Sequence, residues 1–319
     1  MAILERFSEH EDGLIRQFHK LPFFQRFSHL SDAELRAFLI QKWFLSLNFV
    51  PWYDRAINAL SDSQAKEVLK RIVQDETPKD APSHREDLLA DLEYVGISKG
   101  EVLTAKPTKS TIKAMDRIIG LTNLSDDLNY NLKVMVALRT AGEILVAEEY
   151  RHVVPELERR YGLTADQSRF YAPHFYHDRK DSETGQHTHS FESVLERMID
   201  SEPTLAVAMK SADEAFKART SFYNQFDKRL GHRKLMVGTG ALSAAAAVVI
   251  AVAGQFYNGS NNNSRIPEGM TVVDSSGIYT LERDANKWLI NRYKQTGEQH
   301  YLDDIGKRNV VERVFGPGP

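Results

Sequence analysis

The chain has 319 residues and no cysteine, and its 41 basic and 44 acidic side chains leave a net charge of −3. This balance argues against a nucleic-acid-binding protein, which needs a basic surplus to neutralise phosphates. The lack of cysteine excludes disulfide scaffolds, thiolate metal sites and cysteine nucleophiles. A metal would have to be held by His, Asp and Glu, a donor set that favours iron, manganese or zinc.

The first 230 residues carry helical signals and no convincing alternation of the kind typical of strands. Ser31 and Ser83 are each followed three residues later by a glutamate, a capping-box pattern that predicts a helix start. After Ser31 the apolar residues recur at helical spacing as far as Pro51. This pattern predicts one helix that starts at Ser31 and ends before the proline.

Three further helices are predicted downstream. They cover about residues 128–161, closed by Gly162, then about 191–198 and about 205–230. Together these patterns predict an all-α fold, a helical bundle that forms a single domain over residues 1–231.

The composition changes after this bundle, because no charged residue occurs from Leu235 to Ser264. The apolar stretch 235–257 is long enough to cross a bilayer at about 1.5 Å per residue. Four basic residues precede it, and the positive-inside rule then predicts a single-pass membrane protein with its N-terminal domain in the cytoplasm. The predicted organisation is a transmembrane helix at 232–257 and a tail of unknown role at 258–319. The alternative for the apolar stretch is a buried helix, since it is rich in Ala and Gly.

The histidines are unevenly spread, with four of the 11 between His174 and His189. On a helix His174 and Asp178 project from one face because they are four residues apart, and Tyr171 shares that face. A histidine and a carboxylate on an apolar face are costly without a partner, and a metal ion would supply one. The alternative is a polar surface loop that happens to be rich in histidine.

A second candidate cluster contains Asp75, Glu76 and His84, with two prolines between its members. Because proline interrupts helical geometry, the spacing does not show whether these side chains share a face. His84 is expected in the first turn of the helix that Ser83 caps. A solvated turn is the alternative for this cluster.

Glu143 is the third candidate, since it lies in an apolar helical stretch where a carboxylate needs compensation. A metal ion could provide it, but so could an ion pair with Arg139, which lies one turn earlier. Glu148 and Glu149, about one turn later, look solvated.

These clusters, together with the opening helices, resemble the haem-oxygenase-like diiron oxidases over about residues 12–231. That family is related in fold to haem oxygenase, the TenA-type thiaminases and the pyrroloquinoline-quinone synthase PqqC. The segment Ser-His-Arg-Glu-Asp-Leu at 83–88 is similar to the usual context of the family's first histidine ligand. The resemblance implies a metal set in which the first five ligands are Glu76, His84, Glu143, His174 and Asp178.

The sixth ligand departs from the family pattern, because Asp181 stands three residues after Asp178 where a histidine is expected. An insertion could have moved the histidine downstream. The segment that follows His189 resembles the family's usual sequence after this ligand, so we favour His189 over His187 and Asp181.

The resemblance implies a non-haem diiron oxidase that binds two iron ions, for which manganese could substitute, and activates dioxygen. Its substrate would be a small carboxylic acid of the amino-acid or fatty-acid type. The sequence is also compatible with a homodimer. The alternatives are a membrane-anchored binding or scaffold protein on the same fold, and an oxidase of the haem oxygenase or PqqC type without a diiron site, for which His19 would be the candidate haem ligand.

Overall fold

A computed structural model of the chain describes residues 3–78, 81–123, 127–181 and 186–227. Within these ranges the secondary structure is entirely helical, which agrees with the predicted all-α class. The α-helices are α1 (Ile3–His19), α2 (Pro22–Gln25), α3 (Asp32–Ser46), α4 (Phe49–Ala59), α5 (Ser63–Glu76), α6 (His84–Tyr94), α7 (Lys99–Thr104), α8 (Lys109–Gly120), α9 (Tyr130–Ala137), α10 (Leu145–Tyr161), α11 (Tyr171–Asp178), α12 (Gln186–Ser190), α13 (Glu192–Met198) and α14 (Glu202–Thr220). Two 3-10 segments, Phe27–His29 and Tyr223–Phe226, and one π-helical segment, Leu138–Ile144, complete the set.

Both predicted capping boxes are confirmed. The Ser31 hydroxyl accepts a hydrogen bond from the backbone N–H three residues on, and Ser83 does the same at the start of α6. The prediction of one helix as far as Pro51 is wrong, because α3 ends at Ser46 and Pro51 lies in the first turn of α4. Proline is tolerated there since the N–H groups of a first turn have no partner within the helix.

The helix predicted over 128–161 is a composite of α9, the π segment and α10. It begins at Tyr130 and ends where Gly162 adopts a left-handed φ of 73°, as the glycine predicts. All seven residues of the π segment are buried. The last predicted helix, 205–230, is α14 as far as Thr220, followed by the second 3-10 segment as far as Phe226, and positions 228–230 lie outside the described ranges.

This composite helix is the centre of the bundle. It packs against α1, α14, α11 and α12. A cluster of aromatic side chains fills the space between α1, α2, α3 and the end of the described chain, and it comprises Phe18, Phe23, Phe24, Phe27, Phe38, Phe222, Tyr223 and Phe226. The composite helix is therefore surrounded by other helices, and its π segment is shielded from water.

No helix in the described ranges is long and apolar enough to cross a membrane. The predicted transmembrane helix at 232–257 and the tail at 258–319 lie outside those ranges, so both stay predictions.

Candidate metal centre

Three of the predicted ligands meet where α5, α6 and α11 come together. Glu76 ends α5, His84 begins α6 and His174 lies in α11. His84 Nδ1 lies 3.0 Å from Glu76 Oε2, and His174 Nε2 lies 3.4 Å from Glu76 Oε1. The two imidazole rings stand 4.5 Å apart between centroids. We call these three residues the Glu76 group.

A second set, the Glu143 group, comprises Glu143 from the π segment, Asp178 at the end of α11 and His187 from α12. His187 Nδ1 lies 3.0 Å from Asp178 Oδ1 and 3.7 Å from Glu143 Oε2. In each group the potential ligand atoms lie within 4.8 Å of one another. Because His174 and Asp178 are one turn apart on α11, that helix places the two groups side by side.

The structure brings His187 into the Glu143 group, and not the favoured His189. His189 points away from the Glu143 group, with 40% of its side chain exposed, and its Nδ1 bonds Glu192 Oε1 at 2.9 Å. His187 is two residues earlier on the same helix, so the two side chains project from nearly opposite faces. Asp181 does not reach the group either, since it is exposed and pairs with Arg179.

Two of the imidazoles are held by partners outside the groups. His174 Nδ1 donates to the Phe170 carbonyl oxygen at 2.7 Å, which leaves Nε2 for the Glu76 group. His187 Nε2 lies 3.3 Å from Asp75 Oδ2, which leaves Nδ1 for the Glu143 group. Metal-binding histidines commonly have such a partner on the other ring nitrogen, because it fixes the tautomer and the ring orientation.

The alternative that Arg139 compensates Glu143 is wrong. Its guanidinium donates to Glu11 Oε1 at 2.9 Å and to the backbone carbonyl of Thr188. Glu143, which is 1% exposed, receives instead a hydrogen bond to Oε1 from the Tyr53 hydroxyl. Its second oxygen, Oε2, is therefore left to face Asp178 and His187.

The environment shifts the pKa values of both groups. Burial raises the pKa of the Glu143 carboxyl, and the nearby Asp178 carboxylate raises it further. Burial acts in the same direction on Glu76, but hydrogen bonding and charge from His174 and His84 outweigh it and lower the pKa of Glu76. Burial opposes protonation of His187, yet Asp178 and Glu143 raise its pKa to about 12. A metal ion would displace protons from such imidazoles, so metal affinity should rise with pH.

Four buried ligand-type atoms in these groups make no well-aligned hydrogen bond, although each of the two nitrogens lies 3.0 Å from a carboxylate oxygen of its own group: His84 Nδ1, Glu143 Oε2, Asp178 Oδ1 and His187 Nδ1. A buried polar atom that is poorly hydrogen-bonded destabilises the fold, and four such atoms in these two groups call for a shared explanation. All four are nitrogen or carboxylate donors of the kind that bind divalent iron or manganese. The residues therefore fit a metal centre.

Comparison with known proteins gives the family. Residues 36–220, more than half of the chain, match a family described as iron-containing redox enzyme. The chain belongs to this family. All six residues of the two groups fall within the matched segment, so the candidate centre lies in the part of the chain that identifies it as an iron-containing redox enzyme.

Solved structures show the same fold for this iron-containing redox enzyme. Two crystal structures of a CADD-like protein of unknown function from Nostoc punctiforme PCC 73102, at 2.00 Å and 1.35 Å resolution, align with TM-scores of 0.53 and 0.54. The identities are 14% and 13%, and each alignment covers 70% of this chain and 98% or 96% of the other. A search of curated proteins finds no significant match.

The expectation that Glu148 and Glu149 are solvated is wrong, since both are buried in this redox enzyme. Glu149 Oε1 lies 3.3 Å from Lys42 Nζ, and its Oε2 accepts a hydrogen bond from Arg219 at 2.9 Å. The cationic partners of Glu149 come from α3 and α14, which are distant from α10 along the chain.

Tyr53 is the residue at the centre that sequence reasoning missed. It lies in α4, far from the candidate ligands along the chain, and no short motif marks it. Asp75 belongs to the second predicted cluster, but its position beside His187 depends on how α5 meets α12.

Proposed function

We propose that this protein is a non-haem diiron oxidase. In this proposal the Glu76 group holds one iron ion and the Glu143 group holds the other. The observation that carries it is the convergence of two His–carboxylate groups whose buried, inward-facing donor atoms lack other partners. Membership of an iron-containing redox family supports iron as the metal.

The protein residues would hold and orient the metal pair. The three carboxylates offset most of the positive charge of two ferrous ions, and the three imidazoles supply nitrogen donors that suit iron. Phe170 and Asp75 fix two of the imidazoles, and burial keeps bulk water from the donor atoms. Two ferrous ions bound here would supply electrons for the reduction of dioxygen.

We further propose that dioxygen and a small organic acid of the amino-acid or fatty-acid type are the substrates, as the family resemblance implies. The predicted span at 235–257 would hold the enzyme at the cytoplasmic face of a membrane, where a lipophilic acid is accessible. A homodimer is compatible with this arrangement.

The alternative readings lose support from particular residues. A haem-binding role for His19 requires a free ring nitrogen, but Nδ1 bonds His152 at 2.9 Å and Nε2 bonds Glu148 at 2.8 Å. An incomplete ligand set would favour the scaffold alternative, because no histidine stands three residues after Asp178. His187 Nδ1, which lies 3.0 Å from Asp178 Oδ1, supports a complete set instead.

The experiment uses the full-length protein purified in detergent. We expect added ferrous iron to cause oxygen consumption that a panel of amino acids and fatty acids stimulates. His174→Ala should lose the iron ion of the Glu76 group and abolish this consumption while circular dichroism shows unchanged helicity. Wild-type iron content and oxygen consumption in His174→Ala would refute the assignment. Stimulation by no acid in the panel would refute the substrate class but not the metal centre.

A further inference from the structure

The two oxygens of the Glu143 carboxylate have different surroundings, because Tyr53 contacts one of them. The Tyr53 hydroxyl donates to Glu143 Oε1. Glu143 Oε2 has no hydrogen-bond partner and lies 3.7 Å from His187 Nδ1. One oxygen is thus held by the protein, and the other is available to a metal ion.

The Tyr53 ring is itself held in place. It is fully buried, and the Phe49 ring stacks on it at 4.3 Å between centroids with an interplanar angle of 22°. Trp52 packs against its edge. Because these neighbours restrict the ring, the hydroxyl has a fixed position from which to orient the carboxylate.

Gly142 gives the hydroxyl the space it needs. A Cβ atom at this position would stand 2.7 Å from the Tyr53 hydroxyl oxygen, 3.3 Å from Tyr53 Cε2 and 3.4 Å from Trp52 Cζ3. The first distance is shorter than van der Waals contact allows, so any larger residue would push the phenol away. Glycine weakens a helix interior, and this close approach accounts for its presence inside a buried π segment. Such π segments occur frequently at functional sites.

We propose that Tyr53 is a positioning residue of the metal centre. Its hydroxyl holds Glu143 Oε1 so that Oε2 alone is presented to the position between Asp178 and His187, and Gly142 provides the room for this contact. Glu143 is thereby prevented from binding one ion through both of its oxygens. The inference rests on the proposed function, since it assumes that the Glu143 group binds iron.

The first test compares Tyr53→Phe with Tyr171→Phe in the full-length protein. The control removes the same group from another buried tyrosine, whose hydroxyl has no hydrogen-bond partner. Anaerobic titration with ferrous iron should show a Kd about 10- to 100-fold higher for one of the two ions in Tyr53→Phe, the loss typical of removing a partner of a metal ligand. The visible spectrum of the Co²⁺-loaded protein should change as well, because the carboxylate coordinates differently. Tyr171→Phe should match the wild type in both measurements.

The second test needs no metal. Gly142→Ala should lower the unfolding temperature of the metal-free protein by several degrees. In the Tyr53→Phe background the same change should cost less, because the oxygen that the new methyl group meets is gone. Additive effects of the two substitutions on the unfolding temperature would show that the methyl group does not meet the phenol, and would overturn the role of Gly142.

The outcomes separate this inference from the proposed function. A wild-type protein that binds no iron would refute the metal centre itself. A wild-type protein that binds two ions, with a Tyr53→Phe variant of equal affinity and equal Co²⁺ spectrum, would overturn the positioning role alone.

Discussion

Replacing His187 and His189 one at a time separates the two candidate ligands. They are the same residue type on the same short helix, so His189→Ala is a matched control for His187→Ala. The first lies within 3.0 Å of a buried carboxylate oxygen of Asp178, whereas the second makes an exposed contact with Glu192. The two substitutions should therefore differ in stability and in metal content.

The magnitudes follow from these environments. In the metal-free protein His187→Ala leaves the Asp178 and Glu143 carboxylates buried together without a cation. Removing one partner of a buried ion pair costs about 3–5 kcal/mol of unfolding free energy. Because one of the two carboxyls can take up a proton and become neutral, we expect a loss at the lower end of this range, about 3 kcal/mol. His189→Ala removes an exposed pair, which is worth less than about 1 kcal/mol.

Two assays check this difference. Urea unfolding of the metal-free variants at pH 7 gives the free energies, and anaerobic ferrous titration gives the ions bound per chain. We expect His187→Ala to lose one of the two ions and His189→Ala to keep both. A His189→Ala variant that loses an ion while His187→Ala keeps both would refute the geometric assignment and restore the choice that the sequence context favoured.

Three further predictions concern the surroundings of the centre. Partial burial lowers the pKa of His152 to about 4, so the free energy of unfolding should fall as pH drops from about 6.5 toward 4. In urea unfolding, this fall should be smaller for His152→Phe than for the control His177→Gln, which replaces an exposed histidine. Arg219→Ala removes a cation from a buried carboxylate and should cost about 3–5 kcal/mol in urea unfolding, with the iron stoichiometry unchanged. Ser83→Ala removes the cap of α6 and should cost about 1 kcal/mol in urea unfolding, and it should weaken iron binding because the next residue is His84.

The fold class could be read from the sequence because its signals are local. Capping boxes at Ser31 and Ser83 and the glycine at 162 mark helix ends through contacts within a few residues, and all three are observed. The π segment could not be read this way. Its change of hydrogen-bonding pattern leaves the apolar periodicity of 128–161 almost intact, so the sequence predicts an uninterrupted α-helix there.

For the centre, the family resemblance implied five of the six residues that the structure brings together, and local patterns at His174–Asp178 and the capped His84 pointed the same way. The sixth depended on a break in the helix after Asp178. Sequence context favours His189, whereas in the structure α12 directs the His187 side chain toward Asp178. Tyr53 and the cation partners of Glu149 come from distant helices, and only tertiary packing shows them.

The central claim is that two groups of three residues bind two irons. Its most direct test is anaerobic titration of the full-length, metal-free protein with ferrous iron, followed by determination of the iron bound per chain. We predict saturation at two ions, with affinity that rises with pH as the imidazoles lose their protons. Saturation at one ion, or no specific binding, would contradict the account.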